Sequence, residues 1–186
     1  IPTEAEMEKI LALLADWQRA GDDSLRQGRR YIAHLVAELQ YSSGLRIAEV
    51  AALELGDLDF NKCRIYVRSG KKGKSRVAYL SEYSAAILQE YCTRMRPLVL
   101  GVKQAGSPDK LFGCGYESLA RSQNGHLAHI SSIIGMKIRS HTFRHALGYH
   151  LLRAGCPLRQ IQEILGHEQI KDTEIYTKVD EREVQE

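Results

Sequence analysis

The sequence lacks paired cysteines, long apolar runs and a strong excess of either charge, and each absence narrows what the chain can be. Its four cysteines are scattered and none forms a C-x-x-C pair, so a zinc ribbon or a thioredoxin-type redox site has no support. Isolated cysteines of this kind fit a reducing, cytoplasmic compartment. No apolar run approaches the length of a membrane span, and Ile1 to Ala20 is amphipathic and carries acids, unlike a secretory signal.

The size and composition of the chain fit one folded domain. Its 186 residues, of which 44% are hydrophobic, can bury one core of ordinary size. Because the sequence begins at Ile1 rather than at Met, we expect a piece of a longer protein. We expect residues 1–186 to form a single domain.

The charge distribution is more informative than the net charge, which is only +3. Between Asn61 and Arg76 the chain carries seven basic residues and no acid. Phosphate binding needs such a local concentration of cations. A solvated hairpin whose lysines keep an edge strand soluble explains the same composition. The basic residues are Lys62, Arg64, Arg68, Lys71, Lys72, Lys74 and Arg76.

Helical periodicity dominates the first third of the chain. At the first helix, Thr3 and Glu6 have the spacing of a capping box, and Gly56 is expected to stop the third. The predicted helices are Thr3–Ala20, Leu25–Tyr41 and Ile47–Leu55.

The period then changes to that of β-strands. Cys63–Val67 and Arg76–Leu80 are rich in β-formers and flank the glycine- and lysine-rich turn Ser69–Ser75, which predicts a β-hairpin. A helix follows, which Ser81 is expected to cap and Pro97 to close.

The second half of the chain is predicted to be helical with irregular connections. Pro157 and Gly166 are typical of a helix start and a helix stop, respectively. The predicted helices are the second half of Tyr116–Ile134, then His141–Ala154, Pro157–Leu165 and one beginning near Asp172. The pattern predicts an α+β domain, mainly α-helical, with a small antiparallel sheet.

Cations and one tyrosine form the chemically reactive set. His141 and Arg144 lie three residues apart and share a helix face, and His167 follows a glycine helix stop. Tyr176 lies nine residues further on. With Arg46 and a lysine from the hairpin turn, the set contains neither a carboxylate pair nor a thiolate. It therefore suits an anionic substrate, since arginine matches phosphate oxygens in a bidentate manner.

Such a set can drive attack of a hydroxyl on a phosphodiester. Nearby cations lower the proton affinity of a tyrosine hydroxyl and stabilise the charge that develops on the phosphate oxygens. We expect no cofactor, since guanidinium groups supply the charge that a metal supplies elsewhere. His141 and His145 could form half of a zinc site, but no H-E-x-x-H motif is present.

In order and spacing these segments resemble the tyrosine recombinase, or phage integrase, family. Its catalytic domain carries an Arg in a T-G-L-R-x-x-E segment, a Lys in a hairpin turn, H-x-x-R, a later L-G-H and a Tyr nine residues after that His. The matching residues here are Arg46, Lys71, His141, Arg144, His167 and Tyr176. The resemblance covers essentially the whole chain. Lys71 is preferred over Lys72 only because Gly70-Lys71 matches the family's G-K.

The resemblance implies the DNA breaking-rejoining fold and a site-specific recombinase or integrase. Tyr176 would form a 3′-phosphotyrosyl intermediate without metal or ATP. By the same resemblance Arg46, Arg144 and His167 would hold the phosphate, Lys71 would protonate the leaving oxygen and His141 would assist proton transfer. Glu49 and His145 would support these groups. DNA contacts are expected from Arg68, Lys72, Lys74 and Arg76.

The implied partner is double-stranded DNA, bound by four protomers in the full-length protein, with no membrane partner. The N-terminal DNA-clamping domain of the family is absent from this sequence, so we expect this piece alone to bind DNA weakly. Only ten residues follow Tyr176, so we expect incomplete assembly contacts and a monomeric piece. We expect a nucleoid-associated protein in the cytoplasm of a prokaryote, encoded by the chromosome, a phage or another mobile element. A type IB topoisomerase, a telomere-resolving enzyme and an inactive DNA-binding module remain alternatives. The target sequence, and the choice between integrase and chromosome-dimer resolvase, stay open.

Overall fold

A computed structural model of the chain describes residues 1–19, 24–68, 75–101 and 109–166, with the backbone alone for residues 24 and 25. The predicted class, mainly helical with a small antiparallel sheet, is confirmed. The strands are β1 (Leu58–Asp59), β2 (Arg64–Val67) and β3 (Arg76–Tyr79). The helices are α1 (Glu4–Arg19), α2 (Ser24–Ser43), α3 (Ile47–Ala52), α4 (Glu82–Glu90), α5 (Arg96–Leu100), α6 (Tyr116–Ile134), α7 (Ser140–Arg153) and α8 (Leu158–Leu165).

Helix α2 runs through the middle of the molecule and separates two apolar cores. From Tyr31 to Gln40 almost every side chain is buried, as expected of a helix that is packed on all sides. The sheet-side core joins α2 to α3, α4 and the sheet, and includes Leu35, Leu39, Val50, Ile65, Leu88 and Leu111. The α1-side core joins α2 to α1, α6 and α7, and consists of Met7, Ile10, Leu14, Ala37, Leu127, Ile130, Ile138, Phe143 and Ala146.

A third, smaller cluster holds α8 against α7. Tyr149 of α7 is buried with Ile161 and Leu165 of α8, and Leu147 packs against them. The ends of α8 lie where the sequence predicts them. Pro157 precedes its first turn, and Gly166 ends it with a φ of +64°, in the left-handed region that favours glycine.

The start of the chain also agrees with its sequence pattern. The backbone N–H of Thr3 donates to Glu6 Oε2 at 2.8 Å, and the Glu6 N–H donates to Thr3 Oγ1 at 3.3 Å. This reciprocal pair is the predicted capping box, and it satisfies two N–H groups that have no partner within the helix.

The predicted hairpin is present, and its alternation sets which side chains enter the core. Strands β2 and β3 pair antiparallel, with Ile65 opposite Ala78 and Tyr66 opposite Val77. Ile65 and Ala78 are buried, whereas Tyr66 is exposed on the other face. The short β1 pairs with β2 and was not predicted, since two residues are too few to show a period.

The third predicted helix is shorter than expected, ending at Ala52 rather than at Leu55. Beyond Ala52 the chain pairs with a distant segment instead. The Leu55 N–H donates to the Asp109 carbonyl and the Leu111 N–H to the Leu53 carbonyl, both at 2.8 Å. These long-range hydrogen bonds replace the last helical turn. Local periodicity could not predict where the helix ends, because it carries no information about the distant partner segment.

Two other helix predictions were wrong in extent. The helix after Ser81 was expected to end before Pro97, yet it continues through a π-helical turn at Tyr91–Met95 into α5. Pro97 directly follows that π-helical turn, in the first turn of α5. Helix α6 is helical from Tyr116 onward, not only in its second half.

Two predictions from the sequence concern segments that the structure does not describe or describes only in part. Most of the predicted hairpin turn Ser69–Ser75 and the whole of the predicted helix near Asp172 lie outside the described residues. Within the described ranges, no helix combines the length and apolar character needed to cross a bilayer.

Candidate active site

The loop from Gly44 to Arg46, between α2 and α3, lies at the centre of the candidate site. Gly44 has a φ of +64°, and a Cβ built on it would lie 2.6 Å from Leu165 Cδ2 and 3.2 Å from Leu147 Cδ2. Glycine is therefore required at position 44 for two reasons, the backbone conformation and the close approach to α7 and α8. The glycine brings the segment that carries Arg46 against both helices.

Arg144 reaches this loop from α7. Its side chain is buried, with the residue 5% exposed, and its guanidinium donates a hydrogen bond to the Gly44 carbonyl. A guanidinium keeps its charge at any working pH, so burial places a permanent positive charge beneath the loop. Arg46 lies only two residues beyond the carbonyl that Arg144 binds.

Arg46 joins the loop to the end of α8. Its side chain is 40% exposed, and Nη2 donates to the Gly166 carbonyl at 3.2 Å. Gly166 immediately precedes His167 in the sequence. The contact therefore ties the stretch containing Arg46 to the residue before the predicted histidine.

Glu49, on the first turn of α3, binds two arginines. The Arg46 backbone N–H donates to Glu49 Oε2 at 2.7 Å, and Arg46 Nη1 lies 3.4 Å from Oε1. Arg76 of β3 binds both carboxylate oxygens, at 2.6 and 3.0 Å. Burial raises the pKa of Glu49, but the hydrogen bonds from Arg76 and the Arg46 backbone outweigh it, so the pKa lies below its usual range. The contact expected between Glu49 and Arg46 is present.

His141 and His145 lie on exposed positions of the first turns of α7, with ring centroids 6.4 Å apart. Although the residue as a whole is exposed, desolvation of its ring lowers the pKa of His145, and the neighbouring His141 and Arg144 lower it further. In the part of the chain that the structure describes, no three His, Cys, Asp or Glu side chains lie close enough together to hold a metal ion.

Two buried polar residues of the site were missed by sequence reasoning. Gln40 of α2 is fully buried and donates from Nε2 to the Leu45 carbonyl at 3.4 Å. Ser140, at the start of α7, donates from Oγ to Gln40 Oε1 at 3.0 Å. Gln40 thus links the loop that carries Arg46 to the helix that carries His141 and Arg144. The available signal was its position one turn after Val36, on the apolar face of α2.

The two predicted DNA-contacting arginines among the described residues both bind carboxylates. Arg68 is 59% exposed and donates to Asp57 at 2.6 Å and to Glu54 at 2.5 Å. Arg76 is 15% exposed and turns toward Glu49. DNA contact by either residue stays a prediction. The remaining predicted site residues, Lys71, Lys72, Lys74, His167 and Tyr176, lie outside the described residues.

The arrangement gathers positive charge from distant stretches of sequence. Arg46 comes from the loop, Arg144 from α7 and Arg76 from β3, and one carboxylate, Glu49, is shared between two of them. The exposed part of Arg46 and the exposed His141 are accessible to a ligand, and guanidinium groups bind phosphate oxygens well.

Comparison with known proteins assigns the family. Residues 3–183 match the Phage integrase family. The tyrosine recombinase XerA of Pyrococcus horikoshii is 30% identical over 187 residues, with 99% of this chain and 58% of the relative covered. XerD of Neisseria meningitidis is 34% identical over 189 residues, covering 96% of this chain and 59% of its own. The chain thus spans less than two thirds of these relatives.

Solved structures show the same fold. The crystal structure of XerA recombinase superimposes with a TM-score of 0.69 at 24% identity, covering 95% of this chain and 59% of its own. XerH site-specific recombinase bound to difH substrate gives 0.74 at 23% identity, covering 97% and 51%. The catalytic domain of bacteriophage HP1 integrase gives 0.61 at 18% identity, covering 96% and 86%.

Proposed function

The chain belongs to the phage integrase family, and from that premise we propose that its protein is a tyrosine-type site-specific DNA recombinase. It cleaves and rejoins double-stranded DNA through a 3′-phosphotyrosyl intermediate, with neither metal nor ATP. One observation carries the proposal. Arg144 binds the loop that presents Arg46, and Arg46 binds Gly166, the residue before His167.

In the cleavage step, the phenolic oxygen of Tyr176 attacks the scissile phosphorus. The bond between phosphorus and the tyrosine oxygen forms as the bond to the 5′ oxygen breaks. Arg46, Arg144 and His167 bind the non-bridging oxygens, where negative charge builds up in the transition state. His141 accepts the phenolic proton or binds the phosphate.

The leaving 5′ oxygen needs a proton, which Lys71 donates. Neighbouring cations disfavour the protonated form of a lysine and so make it a better general acid. In the reverse direction a 5′ hydroxyl of a partner duplex attacks the phosphotyrosine, which rejoins the strand and releases Tyr176. The phosphotyrosyl bond conserves the energy of the cleaved phosphodiester, so no ATP is consumed.

The acid can be assigned to Lys71 or Lys72 with a sulfur-substituted substrate. A 5′-thio leaving group needs no proton, so the Lys71→Ala enzyme should cleave it at nearly the wild-type rate while remaining slow on the normal substrate. If only the Lys72→Ala enzyme is rescued in this way, the role belongs to Lys72.

The proposed partner is double-stranded DNA, bound by four protomers of the complete protein on two duplexes. The XerH relative, which was solved bound to its difH substrate, supports DNA as the partner. We place the protein in the cytoplasm of a prokaryote, associated with the nucleoid, where such a substrate is found.

A nicked suicide duplex tests the proposal. Cleavage next to a nick loses the short strand that carries the 5′ hydroxyl, so the covalent adduct accumulates and is detected by a shift on a denaturing gel. The complete protein should form this adduct. Failure to form it on any site recovered by selection would reject a recombinase and favour an inactive DNA-binding module.

Two DNA assays then separate the active alternatives. Recombination between two sites on one plasmid should yield exchanged products. Relaxation of a supercoiled plasmid without exchange would indicate a type IB topoisomerase, and hairpin-ended products would indicate a telomere-resolving enzyme.

A further inference from the structure

The ion pair between Arg76 and Glu49 is bidentate and largely buried. Both carboxylate oxygens of Glu49 accept from Arg76, at 2.6 and 3.0 Å, and the side chains are only 15% and 18% exposed. The Arg46 side chain reaches the same carboxylate at only 3.4 Å. Because Arg76 makes the shorter and bidentate contacts, it is the principal partner of Glu49.

Arg76 also touches the end of α8. A Cβ built on Gly166 would lie 2.9 Å from Cζ and Nε of Arg76, so the glycine allows the guanidinium to pass beneath the helix end. Arg76 therefore contacts the first turn of α3 and the residue before His167, and it lies on the strand that follows the lysine turn. Three stretches that carry predicted catalytic residues meet at this one side chain.

We propose that Arg76 is a positioning residue, which occupies the carboxylate of Glu49 and so keeps the guanidinium of Arg46 available for the DNA phosphate. This rests on the proposed recombinase function. One carboxylate lies between two arginines, so the cluster keeps one net positive charge. Without Arg76, Glu49 would pair fully with Arg46 and would compete with the phosphate. A buried acid deprived of one partner binds the remaining cation more strongly.

A double-mutant cycle tests this proposal by asking whether removal of the Glu49 carboxylate restores the cleavage rate that is lost with Arg76. The single-turnover rate of adduct formation on the nicked duplex is measured with saturating enzyme, so that DNA affinity does not enter. Arg76→Gln should slow cleavage about tenfold, as for partial loss of one transition-state donor. Adding Glu49→Gln should restore part of that rate, because the competing carboxylate is gone. If Arg76 only stabilised the folded structure, the double variant would be no faster than Arg76→Gln. That result would overturn the proposal.

The pH dependence provides a second readout. In Arg76→Gln the main hydrogen bonds that lower the pKa of Glu49 are gone, and burial then raises it. As the pH falls through that pKa, the carboxylate becomes neutral and releases Arg46. The rate relative to wild type should therefore rise toward acid pH for Arg76→Gln, but not for the double variant. A ratio that is flat with pH would contradict the proposal.

Three controls keep the outcomes separate. Arg94→Gln removes an arginine outside the basic cluster Asn61–Arg76, where it pairs with Glu90 at 2.7 Å, and should leave the rate unchanged. If Arg76→Gln does not fold, Arg76→Met, whose apolar chain fills the same space, replaces it in the cycle with the same expected sign. A wild-type protein that forms no adduct rejects the recombinase itself, whereas a normal wild-type rate with no rescue rejects only the role of Arg76.

Discussion

The α1-side core and the active-site face are assembled by different forces. The α1-side core is made of apolar side chains at helical spacing on α1, α6 and α7, and its residues are almost fully buried. The site face depends on single polar contacts, such as those of Gln40, Arg144 and Arg76, which join segments far apart in the chain. We therefore expect substitutions in the core to change stability and substitutions at the site to change the rate of cleavage.

The largest effect is expected for the nucleophile. Tyr176→Phe should abolish the covalent adduct while leaving DNA binding and the unfolding midpoint unchanged, since only the reacting oxygen is lost. Adduct formation on a denaturing gel and DNA affinity by mobility shift measure the two. Tyr79→Phe, at an exposed position on β3, is the matched control and should keep full activity. Adduct formed by the Tyr176→Phe protein would reject the assignment.

Arg144→Ala should have the next largest effect. Losing one transition-state donor should slow cleavage on the order of a hundredfold or more. The variant also loses the hydrogen bond to the Gly44 carbonyl. Arg96→Ala is the control, because Arg96 also donates to backbone carbonyls, those of Lys110 and Leu111, but is not among the predicted site residues. Equal rate losses in the two variants would show that the effect is structural.

Gln40→Met tests whether a residue that touches no substrate sets the geometry of the site. The variant keeps the volume but loses the hydrogen bonds to Leu45 and Ser140, so α7 and the loop can shift relative to each other. A small displacement of reacting groups should slow cleavage about tenfold. Single-turnover kinetics and thermal unfolding measure the rate and the stability.

Gln123→Met is the matched control for that variant. Gln123 is also buried and donates to the backbone of α2, at the Ala33 carbonyl, seven residues before Gln40. It should lose comparable stability and keep the wild-type rate. If both variants slow cleavage equally, the contrast between the two regions is wrong.

The smallest effect on rate is expected in the α1-side core. Ile130→Ala removes a fully buried side chain and should lower the free energy of unfolding by about 3 kcal/mol. Its single-turnover rate, measured well below the unfolding midpoint, should stay within about twofold of wild type because no site contact changes. A large loss of rate in the folded variant would show that the core and the site are coupled.

Local signals predicted much of the fold. The capping box at Thr3, the hairpin, and the limits of α8 at Pro157 and Gly166 all follow from residues that are neighbours in sequence. The early end of α3 and the passage of the helix through Pro97 could not be predicted in this way. The first depends on hydrogen bonds to Asp109 and Leu111, and the second on a π-helical turn.

The residues of the site likewise divide into those that the sequence predicts and those that it does not. Spacing and family resemblance identified Arg46, His141 and Arg144, and the described structure connects Arg144 and Arg46 through one loop. The same reasoning missed Gln40 and Ser140 and gave no indication that Arg76 binds Glu49. Those contacts exist only after the chain folds, because their partners are tens of residues apart.

The most direct test identifies the atom that becomes bonded to DNA. The adduct from the nicked duplex is digested with protease and nuclease, and the modified peptide is sequenced by mass spectrometry. We expect a single peptide in which Tyr176 carries the 3′-phosphate of the cleaved strand. A nucleotide on any other residue, or a link to a 5′-phosphate, would contradict it.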